Sequence, residues 1–340
     1  MKKLAYLVIG IGGILALLIL GENILIPFMY GIILWFLGHT LKNLTYKVPV
    51  FKKYLPSWLV SSVIFLVIIM LLSILVKLIT TNIDVLIKSY PVYASNVNNI
   101  ADKINEIFNI DIYQSIFEKL KNYNFSTILQ PIADSLSGIL SDTVMVLLYA
   151  LFIVSEETSF TTKLKKLFKT NKDYNKVSLI LNKISDSISD YLRLKTLVSI
   201  LTGVVCYIFL LLMDVEAPFF WALLTFFLNY IPTIGSLIAT IFPSIFSLFQ
   251  FGEFTPFIII LVVLGVIQWL IGNILEPKIM GSTLNISPLA SILSLVVWGE
   301  IWGITGMLLS IPITVVMVIV FAQFESTKST AILLSENGDI

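Results

Sequence analysis

The chain is poor in the residues on which most enzymes depend. Its 340 residues include one cysteine, Cys206, and one histidine, His39. A single cysteine forms no internal disulfide. Cys206 lies inside an apolar run with no neighbouring base or cation, so it reads as a buried core thiol and not as a reactive one. One histidine leaves neither a His/Cys cluster at zinc-ligand spacing nor an HExxH pair. Metal hydrolysis and triad chemistry lack their parts, and no enzyme activity, cofactor or metal is expected. Charge is scarce as well, at 13% of residues against roughly 25% in soluble domains. The 22 basic and 21 acidic residues nearly cancel, to +1, which leaves no basic patch of the size nucleic acid needs. There is no Walker A lysine motif to support ATP-driven pumping, and no ring-forming filter sequence such as TVGYG.

Apolar residues are what the chain has in plenty. They make up 57% of it, and the mean hydropathy is +0.96. A soluble fold needs polar side chains over its surface, and too few are present. The composition describes an integral membrane protein, all-α and polytopic.

A spanning helix needs about 20 mostly apolar residues. The first such run, 4–20, follows Lys2 and Lys3, as a signal peptide would. However, Leu20-Gly21-Glu22 is a poor cleavage site and a second run, 24–37, follows at once, so the pair reads as a helical hairpin. A loop with Lys42, Lys47, Lys52 and Lys53 leads to a span at 58–79. From 84 to 134 polar residues interleave with Ile83, Ile87, Tyr90, Val97, Ile100, Ile104 and Ile107, mostly three or four apart. That spacing predicts amphipathic helices projecting from the membrane, with breaks at Asn109-Ile110-Asp111 and Gln130-Pro131. A fourth span, centred on 143–154, is closed by Glu156 and Glu157. Segment 163–195 then holds nine of the 22 basic residues, including the only arginine, Arg193, with helical apolar spacing at Val177, Ile180, Ile184, Ile188 and Tyr191. Its lysines read as a solvated cytoplasmic face, with lipid headgroups as the sharper alternative. Positive-inside counting puts Lys2 and Lys3, the 42–53 loop and 163–195 on the cytoplasmic side, and the N-terminus with them. The 84–134 module, with six acidic residues and four lysines, falls outside.

The C-terminal half is denser, with runs at 197–213, 219–249, 256–275 and 288–321. Two of these are too long for one straight span, and both are interrupted: one by Asn229-Tyr230-Ile231-Pro232-Thr233-Ile234-Gly235-Ser236, the other by Trp298 to Gly306 and then Pro312. Proline lacks an amide hydrogen and glycine weakens a helix, so each run can break or fold back at membrane depth. Such backbone is tolerated only where protein or a water-filled cavity satisfies it. Paired interrupted segments point to a transporter's binding site, and a simple packing kink is the bland alternative for either one. The chain is thus divided into N-terminal transmembrane helices (1–80), a helical extramembrane module (81–138), a fourth transmembrane helix (139–155) and basic cytoplasmic amphipathic helices (156–195). A C-terminal transport half (196–323) and a tail (324–340) complete it.

A carboxylate at membrane depth is a functional candidate. Glu22, Asp214, Glu216 and Glu253 read as interfacial turns. Glu276 follows Gly272-Asn273-Ile274-Leu275 and precedes Pro277-Lys278, where a helix should end. Burial disfavours a charged carboxylate, which suits a proton carrier, while Lys278 favours the charge; an interfacial Glu–Lys pair is the bland alternative. Glu300, between Gly299 and Gly303, either lines a cavity or marks a loop. Asn229, Thr233, Ser236, Gln268, Asn273 and Ser287 could hydrogen-bond a polar solute or serve as interhelical glue. Gly299 and Gly303 also form a weak close-packing pattern.

The ordered set Asn229–Ser236 (NYIPTIGS), Asn273–Gly281 (NILEPKIMG), Ser287-Pro288-Leu289 and Trp298–Pro312 (WGEIWGITGMLLSIP) resembles the autoinducer-2 exporter family, the PerM-like permeases. The motifs cover about the last third of the chain; the rest matches in layout. The resemblance implies an inner-membrane transporter of about eight spans, some broken or re-entrant, assembling as a homo-oligomer, with a pentamer as the implied number. It also implies export of autoinducer-2 or Na⁺(Li⁺)/H⁺ antiport. Glu300 departs from the family pattern, which favours an uncharged residue there. The expected solute site comprises Asn229, Pro232, Thr233, Gly235, Ser236, Asn273, Gly299, Gly303 and Gly306, with Glu276 and Glu300 coupling H⁺ or Na⁺. The leading reading is a secondary exporter of a small polar solute. A cation/proton antiporter comes second, and a membrane assembly factor that binds a partner through 84–134 comes third.

Overall fold

The computed structural model describes residues 2–47, 56–89, 91–97, 100, 126–168, 170–281 and 285–338. Its helices are α1 (Lys2–Leu20), α2 (Glu22–Tyr46), α3 (Ser57–Lys88), α4 (Ser126–Leu167), α5 (Asn171–Leu212), α6 (Pro218–Leu228), α7 (Ile234–Phe251) and α8 (Phe254–Leu270). A π-helical turn, Ile271–Leu275, leads into α9 (Glu276–Met280), then α10 (Pro288–Phe321) and α11 (Glu325–Leu334). No strand occurs among the described residues. Among the described residues, six helices are long and apolar enough to cross a membrane: Glu22–Tyr46, Leu59–Lys88, Lys172–Leu212, Ile234–Phe251, Phe254–Met280 and Pro288–Phe321. The pair Thr143–Glu157 and Ser159–Leu167, bent by 60°, makes a seventh if counted as one span. The chain is an all-α polytopic membrane protein.

Several local expectations meet a different outcome. Most of the 84–134 module, with Ile104, Ile107 and Asn109-Ile110-Asp111, lies outside the described residues, as do Tyr90, Lys52 and Lys53. The break expected at Gln130-Pro131 is absent, since α4 runs unbroken from Ser126 through Pro131. Between α1 and α2 stands only Gly21, at φ −92° and ψ 6°. One residue so close to helical dihedrals bends the chain but cannot reverse it, so α1 and α2 meet at a bend and not in a hairpin.

The chain divides into two compact units, 1–66 with 140–194 and 280–340, and 67–139 with 195–279. In the first, Phe36 of α2, Ile188 and Leu192 of α5, and Ile311, Val315 and Ile319 of α10 form the core. Ile188 and Tyr191 belong to the helical apolar stripe read from the sequence, and both are buried, as is Leu192 beside them. Gly31 brings α2 close to α4, since a Cβ there would lie 2.8 Å from the Tyr149 Cβ.

In the second unit, Cys206 and Leu210 of α5, Trp221 of α6, Phe246 of α7 and Ile260 and Leu264 of α8 pack together with Leu86 and Tyr93. Pro218 sits at the first position of α6, where a missing amide hydrogen does no harm. At its other end α7 closes on Gly252 in the left-handed conformation, φ 67°. Pairings of α6 and α7 define a hairpin. The Gln250 side chain accepts from the Glu216 amide at 2.8 Å and donates to the Asp214 carbonyl at 2.7 Å. Segment 218–251 therefore starts and ends at one level, and its turn at 229–233 packs against the start of the apolar run of α5.

Candidate functional site

The turn of this hairpin is built on two constraints. Thr233 stands at φ 61°, ψ −55°, a left-handed position that a β-branched residue rarely adopts. Gly235 passes so near the end of α6 that a Cβ would lie 1.7 Å from the Leu228 carbonyl oxygen. Only glycine fits there. The Ser236 hydroxyl donates to the Thr233 carbonyl at 2.9 Å, which ties off the first turn of α7. Thr233 is exposed, and Pro232 and Ser236 are half-buried.

Against this turn α5 presents a polar stripe. Lys195, Ser199 and Thr202 are spaced i, i+4, i+7, so they share one helical face, and all three are buried. Asn229, itself buried, donates its amide to Ser199 Oγ at 3.1 Å and reaches Thr202 Oγ1 at 3.5 Å. The Tyr230 hydroxyl pairs with Thr196 Oγ1 at 2.7 Å. Lys195 forms an ion pair with Glu276. The result is a continuous polar layer at one end of an apolar helix bundle: ion pair, hydroxyl pair, then amide and two hydroxyls.

Glu276 begins α9 immediately after the π-helical turn, an irregularity that recurs at functional sites. Its buried partner is Lys195 of α5, and not Lys278, which is exposed. Lys195, read from sequence as part of a solvated basic face, is only 5% exposed. Both corrections have one cause. Side chains two apart on a helix do not face each other, and the residue that does face Glu276 comes from a distant helix. Asn273 is exposed and donates to the Trp269 carbonyl of its own helix at 3.1 Å.

The remaining candidates, Gly299, Glu300, Gly303 and Gly306, belong to the first unit. Helix α10 breaks at Trp302 (φ −129°, ψ 19°) and Gly303 (φ 59°, ψ −140°). Pro312 stays inside the helix that follows. Gly306 meets the Trp298 carbonyl oxygen at 1.7 Å from where its Cβ would be, and Gly299 faces the Met307 side chain. The chain after the break thus returns alongside the chain before it. Gly303 has open space around it, so its part is the backbone angle and not close packing. The Trp302 indole donates to the Leu18 carbonyl at 3.0 Å, and the Tyr30 hydroxyl to Thr305 at 3.4 Å. Glu300 is exposed and makes no ion pair among the described residues. A cleft of about 150 Å³ in this unit, lined by Met29, Ile33, Phe36, Ile188, Leu309 and Met317 among others, is wholly apolar, which does not suit a polar solute.

Two hairpins of broken apolar helices point toward a transporter's solute site, and the sequence as a whole matches one family. The model of the AI-2E family transporter covers residues 4–326. The chain belongs to the AI-2E transporter family. It is 33% identical over 286 residues to the AI-2 transport protein TqsA of Escherichia coli, which covers 83% of this chain and 82% of that protein. A provisionally named transport protein of Borreliella burgdorferi is 35% identical over 258 residues, 74% of this chain and 70% of its own. Another, from Haemophilus influenzae, is 29% identical over 343 residues, 97% and 96%. This AI-2E family member is therefore a membrane transport protein. Lys195, Thr196, Ser199, Thr202 and Tyr230 were not singled out from sequence, although one polar face at i, i+4, i+7 opening an apolar run marks the first, third and fourth of them.

Proposed function

We propose that the chain is a secondary exporter of a small polar solute, with autoinducer-2 as the solute to test first. One observation carries this reading: the polar layer that Lys195, Glu276, Asn229, Ser199 and Thr202 form against the broken tip of an apolar hairpin. Polar groups at such depth are expensive unless they pair or serve a solute. Similarity to a relative named for AI-2 transport supports the choice of solute. Asn229 and Thr233 are positioned to offer hydrogen bonds, and Glu276 is the group that would exchange a proton. We further propose that the protein lies in the inner membrane with its N-terminus cytoplasmic, in accord with the lysine distribution, and that it works as a homo-oligomer.

The antiporter reading ranks second, because a sodium ion at Glu276 would have to displace Lys195 from the same carboxylate. The test is autoinducer-2 efflux from proteoliposomes containing the purified chain, beside empty vesicles and the Glu276→Gln variant. Efflux well above empty vesicles is expected, with the variant inserted normally but losing its dependence on a pH gradient. Efflux no faster than empty vesicles removes autoinducer-2 export. A variant that keeps full pH-gradient dependence removes Glu276 from coupling.

A further inference from the structure

The exporter reading leaves open what holds the solute and how its charge relates to the proton. We infer that Lys195 is the solute's anchor: when Glu276 takes up a proton, Lys195 exchanges that carboxylate for an oxyanion on the solute, so that one proton binds with each negative charge carried. This rests on the exporter reading of the same site and adds the solute's charge class and the coupling ratio.

Three observations lead there. First, Lys195 is the one lysine or arginine buried among the described residues, and Glu276 is the carboxylate it meets. Second, the pair is asymmetric. The Lys195 side chain is 7% exposed and that of Glu276 23%, so the acid is the more accessible partner. Third, among the described residues Glu276 is the one acid in an ion pair with Lys195. Lys278 on the same short helix is exposed and of the wrong sign for Lys195. Asp190 and Arg193, the nearest other ions of α5 in sequence, pair with each other at 3.0 Å. The Tyr230 hydroxyl, the titratable group of the hairpin turn, is held by Thr196.

Protonating Glu276 alone would leave a buried ammonium without a counter-ion, a strongly unfavourable state. An arriving oxyanion removes that penalty, and its binding is favourable only once the carboxylate has been neutralised. Proton and anion therefore bind together. The step makes and breaks no covalent bond to carbon. A proton joins the Glu276 carboxylate, the ammonium of Lys195 moves its ion pair to the solute oxygen, and release reverses both. Ser199 and Thr202, on the face of α5 that carries Lys195, and the Asn229 amide supply donors and acceptors for the neutral part of the solute. Glu276 follows directly on the π-helical turn Ile271–Leu275 within the continuous helical stretch Phe254–Met280.

The test is calorimetric titration of the purified full-length chain near neutral pH, in two buffers of different ionisation heat, with lactate and acetate as probes and neutral acetamide as control. One proton taken up per lactate or acetate bound, and no binding of acetamide, is expected. Near neutral pH, Glu276→Gln should bind lactate about tenfold more tightly than wild type, because no carboxylate competes with the solute for Lys195. Lys195→Met should not bind it. Shielding of the Cys206 thiol confirms that each variant is folded, and where Lys195→Met fails to fold the double variant Lys195→Met/Glu276→Gln takes its place. Lactate binding without Lys195, binding by wild type without proton uptake, or no binding by either wild type or Glu276→Gln overturns the inference. Autoinducer-2 efflux with none of this anion linkage would keep the exporter reading and remove only the anchor. Anion linkage without autoinducer-2 efflux would do the reverse.

Discussion

Replacing Gly235 by alanine tests whether the hairpin tip is as tight as its geometry states. A Cβ at this position would lie 1.7 Å from the Leu228 carbonyl oxygen, 2.7 Å from the Leu228 carbonyl carbon and 3.3 Å from the Ile231 Cβ. Carbon–oxygen contacts settle at about 3.3 Å, so the turn must open by about 1.6 Å. The obstruction is backbone and cannot rotate aside as a side chain would. Opening by that amount pulls on the Asn229 contacts with Ser199 and Thr202 and on the Tyr230–Thr196 pair. Overpacking of this kind costs about 3 kcal/mol or more. For a unit of this size 1 kcal/mol moves Tm by about 2–4 °C, so a fall of about 6–12 °C follows. The chain supplies its own reporter. Its single cysteine, Cys206, is buried in the core that holds both arms of this hairpin, so a thiol-reactive dye in detergent solution follows unfolding of that unit without any engineered label. Gly272→Ala is the control, since nothing lies within 4 Å of its Cβ position; it should be neutral or stabilise by up to about 1 kcal/mol. Equal dye-labelling midpoints for Gly235→Ala and Gly272→Ala would refute the tight-tip geometry.

Two further outcomes follow from the same structure. Gly303→Ala meets no neighbour but must hold φ 59°, ψ −140°, a region almost reserved for glycine, so it should lower stability by about 1–3 kcal/mol; an unchanged thermal midpoint would mean that the α10 break sits elsewhere. Outside the spans, the Tyr93 hydroxyl donates to Glu216, and burial first, then that carboxylate, push its pKa above the usual value. A raised folded-state pKa means that its stability contribution is complete below about pH 10 and is lost as pH rises beyond it. Tyr93→Phe should lower stability at neutral pH by about 1–2 kcal/mol and flatten the alkaline limb of a stability–pH profile, and an alkaline limb as steep as that of wild type would separate Tyr93 from that dependence.

What could be read in the sequence, and what could not, divides by distance along the chain. Spans were legible because each apolar run carries its own evidence, and the buried stripe at Ile188 and Tyr191 because helical spacing is local. Both interruptions were legible too, through Asn229–Ser236 and Trp298–Gly306. Which residue breaks each helix was not. Proline is the obvious candidate by chemistry, yet Pro131, Pro243 and Pro312 all remain inside helices. In α10 the breaking residues are Trp302 and Gly303. Inside a membrane bundle, neighbouring groups can satisfy the carbonyl that a proline leaves unpaired, whereas a glycine pinned against a carbonyl seven or eight residues earlier admits no other residue. The partner of Glu276 was hidden for a different reason. It lies 81 residues away, and sequence proximity favoured Lys278, although two positions along a helix put side chains on different faces.

Both hairpins use one device, and they differ in what surrounds it. Gly235 against the Leu228 carbonyl and Gly306 against the Trp298 carbonyl each bring two helices into contact at 1.7 Å from a Cβ position. At the first tip the polar side chains are already paired: Asn229 with Ser199 and Thr202, Tyr230 with Thr196, Ser236 with its own turn. A solute that engages Asn229, Tyr230 or Ser236 must displace an existing hydrogen bond, so the donors and acceptors it carries must match those it removes. If this tip is the solute site, as proposed, that requirement disfavours apolar solutes. The second tip presents Trp298 and Trp302 with ring centroids 5.5 Å apart and planes tilted by 43°, beside an exposed Glu300. On the proposed exporter reading, substitutions at Asn229, Ser199 or Thr202 should therefore change which solute is carried, while those at Trp298 or Trp302 should change how much.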